Sequence, residues 1–172
     1  VYSISGTSTT DEAEMANPRI HIDLEKIAHN AKTLKELYGA KGIDVVGVTK
    51  AVCGDPAVAL ALVRSGIEIL ADSRIENIRK IKEAGIKAKF LLLRSPLPSQ
   101  VEEVVKYADF SLNSDLSVIS RLSEYAIANN SIHKIILMIE LGDLREGLMP
   151  SELDFTINKV LKMNGIELVG IG

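Results

Sequence analysis

After Pro18 the chain alternates short apolar runs with longer stretches in which apolar residues recur at helical spacing. "RIHIDL" (19–24) alternates apolar and polar positions, the pattern of a half-buried strand. A helical stretch follows, with Ile27, Ala31, Leu34 and Leu37 or Tyr38 on one face. Six further runs read as strands: "DVVGVTK" (44–50), "IEILADS" (67–73), "AKFLLLR" (88–94), "DFSLN" (109–113), "KIILMIEL" (134–141) and "IELVGIG" (166–172). They are short and rich in β-branched residues or leucine, as buried parallel strands are.

The stretches between them carry helix punctuation. Asp55-Pro56 reads as an N-cap with a first-turn proline. Ser73 and Glu76 have capping-box spacing, and Ile75, Ile78 and Ile81 then line one face. Gly-Ile recurs at 42–43, 66–67, 85–86 and 165–166, a glycine closing a helix and an isoleucine entering a strand. Strand starts at 44, 67, 88, 109 and 134 lie 23, 21, 21 and 25 residues apart. That rhythm predicts an α/β fold of βα units with parallel strands, a doubly wound sheet or a (β/α)8 TIM-type barrel. No Gly-x-Gly-x-x-Gly follows a strand, which favours the barrel.

Composition narrows the function classes. With 172 residues, 47% hydrophobic and 25% charged, and a net charge of −3, the chain has a soluble globular composition. It lacks the basic footprint of a nucleic-acid partner. Cys53 is the one cysteine, which excludes an internal disulfide framework and fits a reducing compartment. No apolar run reaches bilayer-spanning length, and residues 1–14 lack a signal peptide's apolar core. A cytoplasmic location with no membrane partner is therefore expected. Residues 1–14 read as a flexible leader or cloning scar, with Met15 as an original start and 15–172 as the folded domain.

In both architectures ligands bind at the carboxyl ends of the strands. Those ends carry Lys50, Asp72 with Arg74, Arg94, Asn113, and Asp143 with Arg145. Four cations on one rim suit an anionic ligand such as a phosphate or carboxylate; the plainer reading is that strand ends run into solvent. Lys50 shares parity with Val46 and Val48, so it points inward if those valines fill a barrel interior. A lysine partly desolvated there has a lowered pKa and more neutral amine, as Schiff-base chemistry needs. A lysine snorkelling from a strand end is the competing reading. Cys53 reads as a packed residue, and Met138 as a core residue of the longest strand. Asp143 and Glu146 flank Arg145 and read as holding its side chain. His21, His29 and His133 share no metal-ligand spacing, so no metal site is predicted.

Several motifs together resemble the alanine racemase-like, fold-type III pyridoxal phosphate enzymes. "PRIHIDLEKIAHNAKTLKE" resembles their opening, a strand ending in Ile-Asp-Leu and a helix containing His-Asn. "VVGVTKA" resembles their first barrel strand, whose terminal lysine forms a Schiff base with pyridoxal 5′-phosphate. "IELGDLREGL" resembles the fifth strand and its loop, whose arginine hydrogen-bonds the phenolic oxygen of the cofactor. "VTKAVCGD", "ADSRIENI", "LLRSP", "SLNSD" and "GDLREG" look most like the ornithine racemase branch. The resemblance runs from about Pro18 to Gly172. It implies Lys50 as the catalytic and cofactor-bearing lysine and Arg145 as the arginine facing the cofactor. Arg74, Arg94, Asn113 and Asp143 remain as further rim candidates.

By the same resemblance "RIHIDL" lies outside the barrel and would join a C-terminal β-domain. The barrel would then start at Val45, and the chain would supply six of its eight strands. A complete barrel takes about 250 residues, so an N-terminal portion is expected. The main phosphate loops, and a second catalytic tyrosine from the partner subunit of a homodimer, would lie beyond Gly172. Two departures stand out. Alanine racemases usually follow the lysine with Ala-Asn-Ala-Tyr-Gly, whose tyrosine touches the cofactor phosphate; here Ala51 precedes Val52, Cys53 and Gly54. A lysine that becomes carbamylated often stands seven residues before the arginine. Met138 stands there instead, leaving Glu140 or Asp143 to orient Arg145. The implied activity is racemisation of ornithine or a similar amino acid. The alternatives are a non-enzymatic pyridoxal phosphate-binding barrel, or an inactive incomplete barrel with two exposed strand edges. For the distal amine of ornithine, Asp55, Asp72 and Asp143 are the available acids.

Overall fold

The computed structural model describes residues 20–172; the leader assigned to residues 1–14 lies outside them. Six parallel strands form one sheet in the order β1-β2-β3-β4-β5-β6. They are β1 Val46–Val48, β2 Ile69–Asp72, β3 Lys89–Leu92, β4 Phe110–Asn113, β5 His133–Leu137 and β6 Ile166–Ile171. The helices are α1 Leu24–Gly39, α2 Pro56–Arg64, α3 Ile75–Glu83, α4 Val101–Tyr107, α5 Leu116–Ala128 and α6 Leu153–Val160. Strict sequence order is that of a barrel wall, because a doubly wound sheet reverses direction at a switch point. β1 and β6 stand at opposite ends, so the wall is open.

The strand alternation divides the sheet into two faces. A side chain at Gly47 would lie 3.1 Å from Ile67 and Leu62 and 3.2 Å from Leu70, so this position faces the helices. In register with it, Leu70 and Phe90 face the same way, followed by Leu92, Ile135 and Leu137. Ile75, Ile78 and Ile81 of α3, Val104 of α4, and Ile119 and Leu122 of α5 close over them, each 1% exposed or less. Full burial of each such side chain contributes about 1.5–3 kcal/mol. The other face begins with Val46 and Val48, and Val48 is 45% exposed, with no described residue covering it.

Several local expectations need correcting. "RIHIDL" forms no strand among the described residues beyond a single bridge position at His21. Asp23 instead caps α1, accepting from the Glu25 and Lys26 amides at 3.1 and 3.0 Å, so the helix claims the segment's end. The apolar face of α1 is mostly uncovered: only Ala31 is buried, while Leu34, Leu37 and Tyr38 are exposed. Arg74, not Ser73, is the N-cap of α3 and makes no side-chain cap bond. β5 stops at Leu137, so Met138 lies beyond it, half-buried and outside the core; β6 is the longest strand. Two other local expectations hold. Asp55 caps α2 ahead of Pro56, and the glycines of all four Gly-Ile pairs have positive φ. No described helix is long and apolar enough to cross a membrane.

Candidate active site

Lys50 opens the turn that follows β1, two residues past its last residue. Thr49 leaves the strand in a helical conformation (φ −101°, ψ −3°), and Lys50–Val52 form a single 3-10 turn. Parity with Val46 and Val48 therefore ends at Val48, and Lys50 is exposed rather than partly desolvated. Cys53 (φ +51°) and Gly54 (φ +60°) close the turn in left-handed backbone. Cys53 is exposed and not packed.

Buried side chains hold this turn from beneath. Thr49 is fully buried; its amide donates to the Ala71 carbonyl at 2.9 Å and its hydroxyl to Asp72 Oδ2 at 2.8 Å. Asp72, also fully buried at the end of β2, accepts through Oδ1 from the Arg74 amide (3.0 Å) and Asn77 Nδ2 (2.9 Å). The Gly54 amide returns to the Thr49 carbonyl at 3.2 Å. A Cβ on Gly54 would lie 2.7 Å from Asn77 Cβ. Gly54 is fourth after the lysine, where the alanine racemase pattern carries its tyrosine. Here α3 packs directly on that position, which leaves no room for a side chain.

Arg145 rides on a differently built loop. Beyond β5, the Met138 amide donates to the Asn113 carbonyl at 2.9 Å and the Ile139 amide to the Gly172 carbonyl at 2.9 Å. The Glu140 amide donates to the Leu148 carbonyl (2.9 Å), and the Leu148 amide to the Met138 carbonyl (2.7 Å), which makes a neck. Gly147 (φ +143°) sits in that neck, where a Cβ would lie 2.4 Å from the Glu140 nitrogen. Inside the loop, the Glu140 carboxylate accepts from the Gly142 and Leu144 amides. These backbone bonds, the Leu144 one foremost, hold its carboxyl below the usual carboxylate range. Glu140 thus organises the backbone around Arg145 rather than the guanidinium. Among the described residues, neither Asp143 nor Glu146 pairs with Arg145.

The topology sets Lys50, Arg74, Arg94, Asp143 and Arg145 beyond the carboxyl ends of β1, β2, β3 and β5, all exposed. Among the described residues the four cations make no side-chain hydrogen bond or ion pair. Asn113 closes β4 at the same carboxyl edge but is not exposed like the others. It is fully buried, on the same strand parity as Ser111, and its Nδ2 donates to the Ser111 carbonyl (3.1 Å) and to Ser111 Oγ (2.9 Å). Ser111 Oγ also meets His133 Nε2 at 2.8 Å. Burial pushes the His133 imidazole down to about 4, with Asp109 opposing the shift. His133 is thus the first residue of β5 and a buried network member. Among the described residues no cluster of three or more His, Cys, Asp or Glu side chains could hold a metal. A groove of about 860 Å³ between α4 and α5, lined by Glu102, Arg121 and Tyr125 among others, belongs to the helix layer and not to the rim.

Sequence reasoning passed over Thr49, Asn77 and Gly147, and met Gly54 only as a departure from the family pattern. The available signal was local: an aspartate at a strand end, with an asparagine five residues on in the first turn of a helix.

The alanine racemase N-terminal domain model matches residues 22–172. An ornithine racemase of Acetoanaerobium sticklandii is 40% identical over 156 residues, 90% of this chain and 44% of that protein. A lysine racemase of Thermotoga maritima is 40% identical over 158 residues, 92% of this chain and 44% of that protein. Among solved structures, an alanine racemase of Clostridium difficile 630 superposes with TM-score 0.74 at 24% identity, covering 86% of this chain and 39% of that one. A D-threonine aldolase from Filomicrobium marinum does so with TM-score 0.77 at 19% identity, covering 87% and 42%. The chain thus spans less than half the length of these relatives, and the structural matches speak for the fold alone. With its sequential parallel wall and a family match from Ile22 to the last residue, the chain belongs to the alanine racemase N-terminal domain family.

Proposed function

We propose that the chain is the lysine-bearing part of a pyridoxal 5′-phosphate-dependent amino-acid racemase acting on ornithine, lysine or a similar amino acid. The observation that carries this reading is Lys50 itself: an exposed amine, without an ion pair among the described residues, on a turn anchored in the core at the carboxyl edge of β1. Such an amine fits a carbonyl-bearing cofactor, since attachment needs access and a fixed origin for the side chain. The relatives named ornithine racemase and lysine racemase support a basic amino acid as substrate.

When bound, the cofactor supplies an electron sink that acidifies the substrate Cα–H. Lys50 would hold it through its amine, and as a free amine would take or return the Cα proton on one face. By resemblance, Arg145 would donate to the cofactor's phenolic oxygen, from a loop ordered by Glu140. By the same resemblance, the opposite face would be served by a tyrosine of a partner subunit in a homodimer, and the single cysteine fits a cytoplasmic location. Of the three acids available for a distal ammonium, Asp55 is engaged with the Ala57 and Val58 amides and Asp72 is buried. Asp143, exposed beside Arg145, is the acceptor this reading favours, with Arg74 and Arg94 as further rim contacts.

The test is borohydride reduction of the chain with pyridoxal phosphate, followed by peptide mapping. A stable phosphopyridoxyl mark should fall on Lys50 and vanish in Lys50→Ala. Equal labelling of the other lysines, or a mark that survives the substitution, overturns the assignment. In the full-length racemase, Asp143→Asn should raise KM for ornithine or lysine with little change for alanine.

A further inference from the structure

We infer that Asp72 is a positioning residue for Lys50: through the Thr49 hydroxyl and Asn77 it fixes both ends of the turn from which the lysine projects. The inference rests on the reading of Lys50 given above. Among the described residues, four aspartates accept hydrogen bonds from amides at or just before the start of a helix. Asp23, Asp55 and Asp115 do so through Oδ1 alone, at exposed or half-buried positions. Asp72 is fully buried, and its second oxygen is committed to the residue that follows β1, accepting from the Thr49 hydroxyl.

Helix initiation alone does not explain that arrangement. A solvent-facing aspartate or serine starts a helix without the cost of burying a carboxylate, and among the described residues no cation stands by to offset it. What the burial adds is a connection. Oδ2 fixes Thr49, the residue before the lysine. Oδ1 aligns Asn77, which lies against Gly54 at the far end of the turn. Lys50–Val52 and Cys53 are suspended between these two points, with a further tie from Lys80 Nζ to the Cys53 carbonyl at 3.3 Å. A lysine side chain is long and rotamer-rich, so its amine returns to one place only if its backbone origin is held.

The experiment compares wild type with Thr49→Val, Thr49→Ser, Asp72→Ala and Asp72→Asn. The readouts are the rate of phosphopyridoxyl labelling at Lys50 relative to the other lysines, and amide exchange across residues 50–55. Thr49→Val keeps the volume and loses the hydroxyl. It should slow labelling at Lys50 by about tenfold, the scale of one hydrogen bond to a charged group, leave the other lysines unchanged, and deprotect the Cys53 and Gly54 amides. Thr49→Ser should restore both readouts, and Asp72→Asn should fall between wild type and Asp72→Ala. If Asp72→Ala does not fold, the Thr49 pair decides alone. Wild-type labelling and exchange in Thr49→Val overturn the inference. If wild-type Lys50 takes no label, the proposed function fails; loss of exchange protection in Thr49→Val then still supports the tether, and its retention overturns it.

Discussion

The turn carrying Lys50 and the loop carrying Arg145 both leave the carboxyl end of a parallel strand, yet they are held in opposite ways. The Lys50 turn is tied by fully buried side chains, Thr49 and Asp72, to β2 and α3. The Arg145 loop is tied by backbone bonds at its neck and by one carboxylate within it, while Leu141 and Leu144 at its tip are 84% and 85% exposed. The first arrangement shares in the stability of the core; the second can open while the core stays intact. In the proposed site the lysine end would therefore be preorganised, and the arginine end only as far as its neck.

Perturbations of the two regions should behave accordingly. The largest effect comes from acid, through the floor of the Arg145 loop. His133 and Ser111 support Asn113, whose carbonyl accepts the Met138 amide. The folded-state pKa of His133, about 4, lies below its ordinary value of 6.5. Between those values the unfolded chain binds a proton that the folded chain refuses. Stability is therefore complete above pH 6.5 and falls as pH drops towards 4, by about 3 kcal/mol in all. Urea midpoints measured from pH 7.5 to 4 should show this slope, and His133→Gln should flatten it. Next in size is Gly54→Ala. It forces a left-handed alanine against Asn77 and should cost about 2 kcal/mol in global unfolding, because the turn it breaks is anchored in the core. A purely local loss at Gly54 would contradict the contrast drawn between the two regions.

The repeating wall was legible in the sequence because it rests on local rules. Gly-Ile junctions, Asp55-Pro56 and the isoleucines of α3 each place an element without reference to the rest of the chain. Lys50 and Arg145 were legible as positions, since they follow strands. Their surroundings were not, because each depends on a partner distant in sequence. Thr49 finds Asp72 across 23 residues, and Ser111 finds His133 across 22. Ser73 and Glu76 had the spacing of a cap, but the buried Asp72 one position earlier took the Arg74 amide and the Asn77 side chain. Asn113 read as a rim residue because strand ends are usually open. The polar network under β5 turned it inward.

Two smaller perturbations probe the Arg145 loop itself. Gly147→Ala places a Cβ against the Glu140 backbone, and the positive φ adds strain of about 1–3 kcal/mol. Because the neck can open alone, exchange at the Glu140 and Leu148 amides should rise sharply while the urea midpoint moves less than for Gly54→Ala. The smallest effect belongs to Glu140→Gln, which keeps an acceptor for the Gly142 and Leu144 amides but removes the charge that strengthens both bonds. The same bonds depress the Glu140 pKa, so their contribution is present above the ordinary carboxylate value of 4.5 and is lost as pH falls through the folded one. Loop amides of the wild type should thus gain exchange, after correction for its intrinsic pH dependence, only below that value, later than the His133 slope begins. In Glu140→Gln this acid step should be absent. A loop that opened together with His133 would mean that its neck, like the Lys50 turn, belongs to the core.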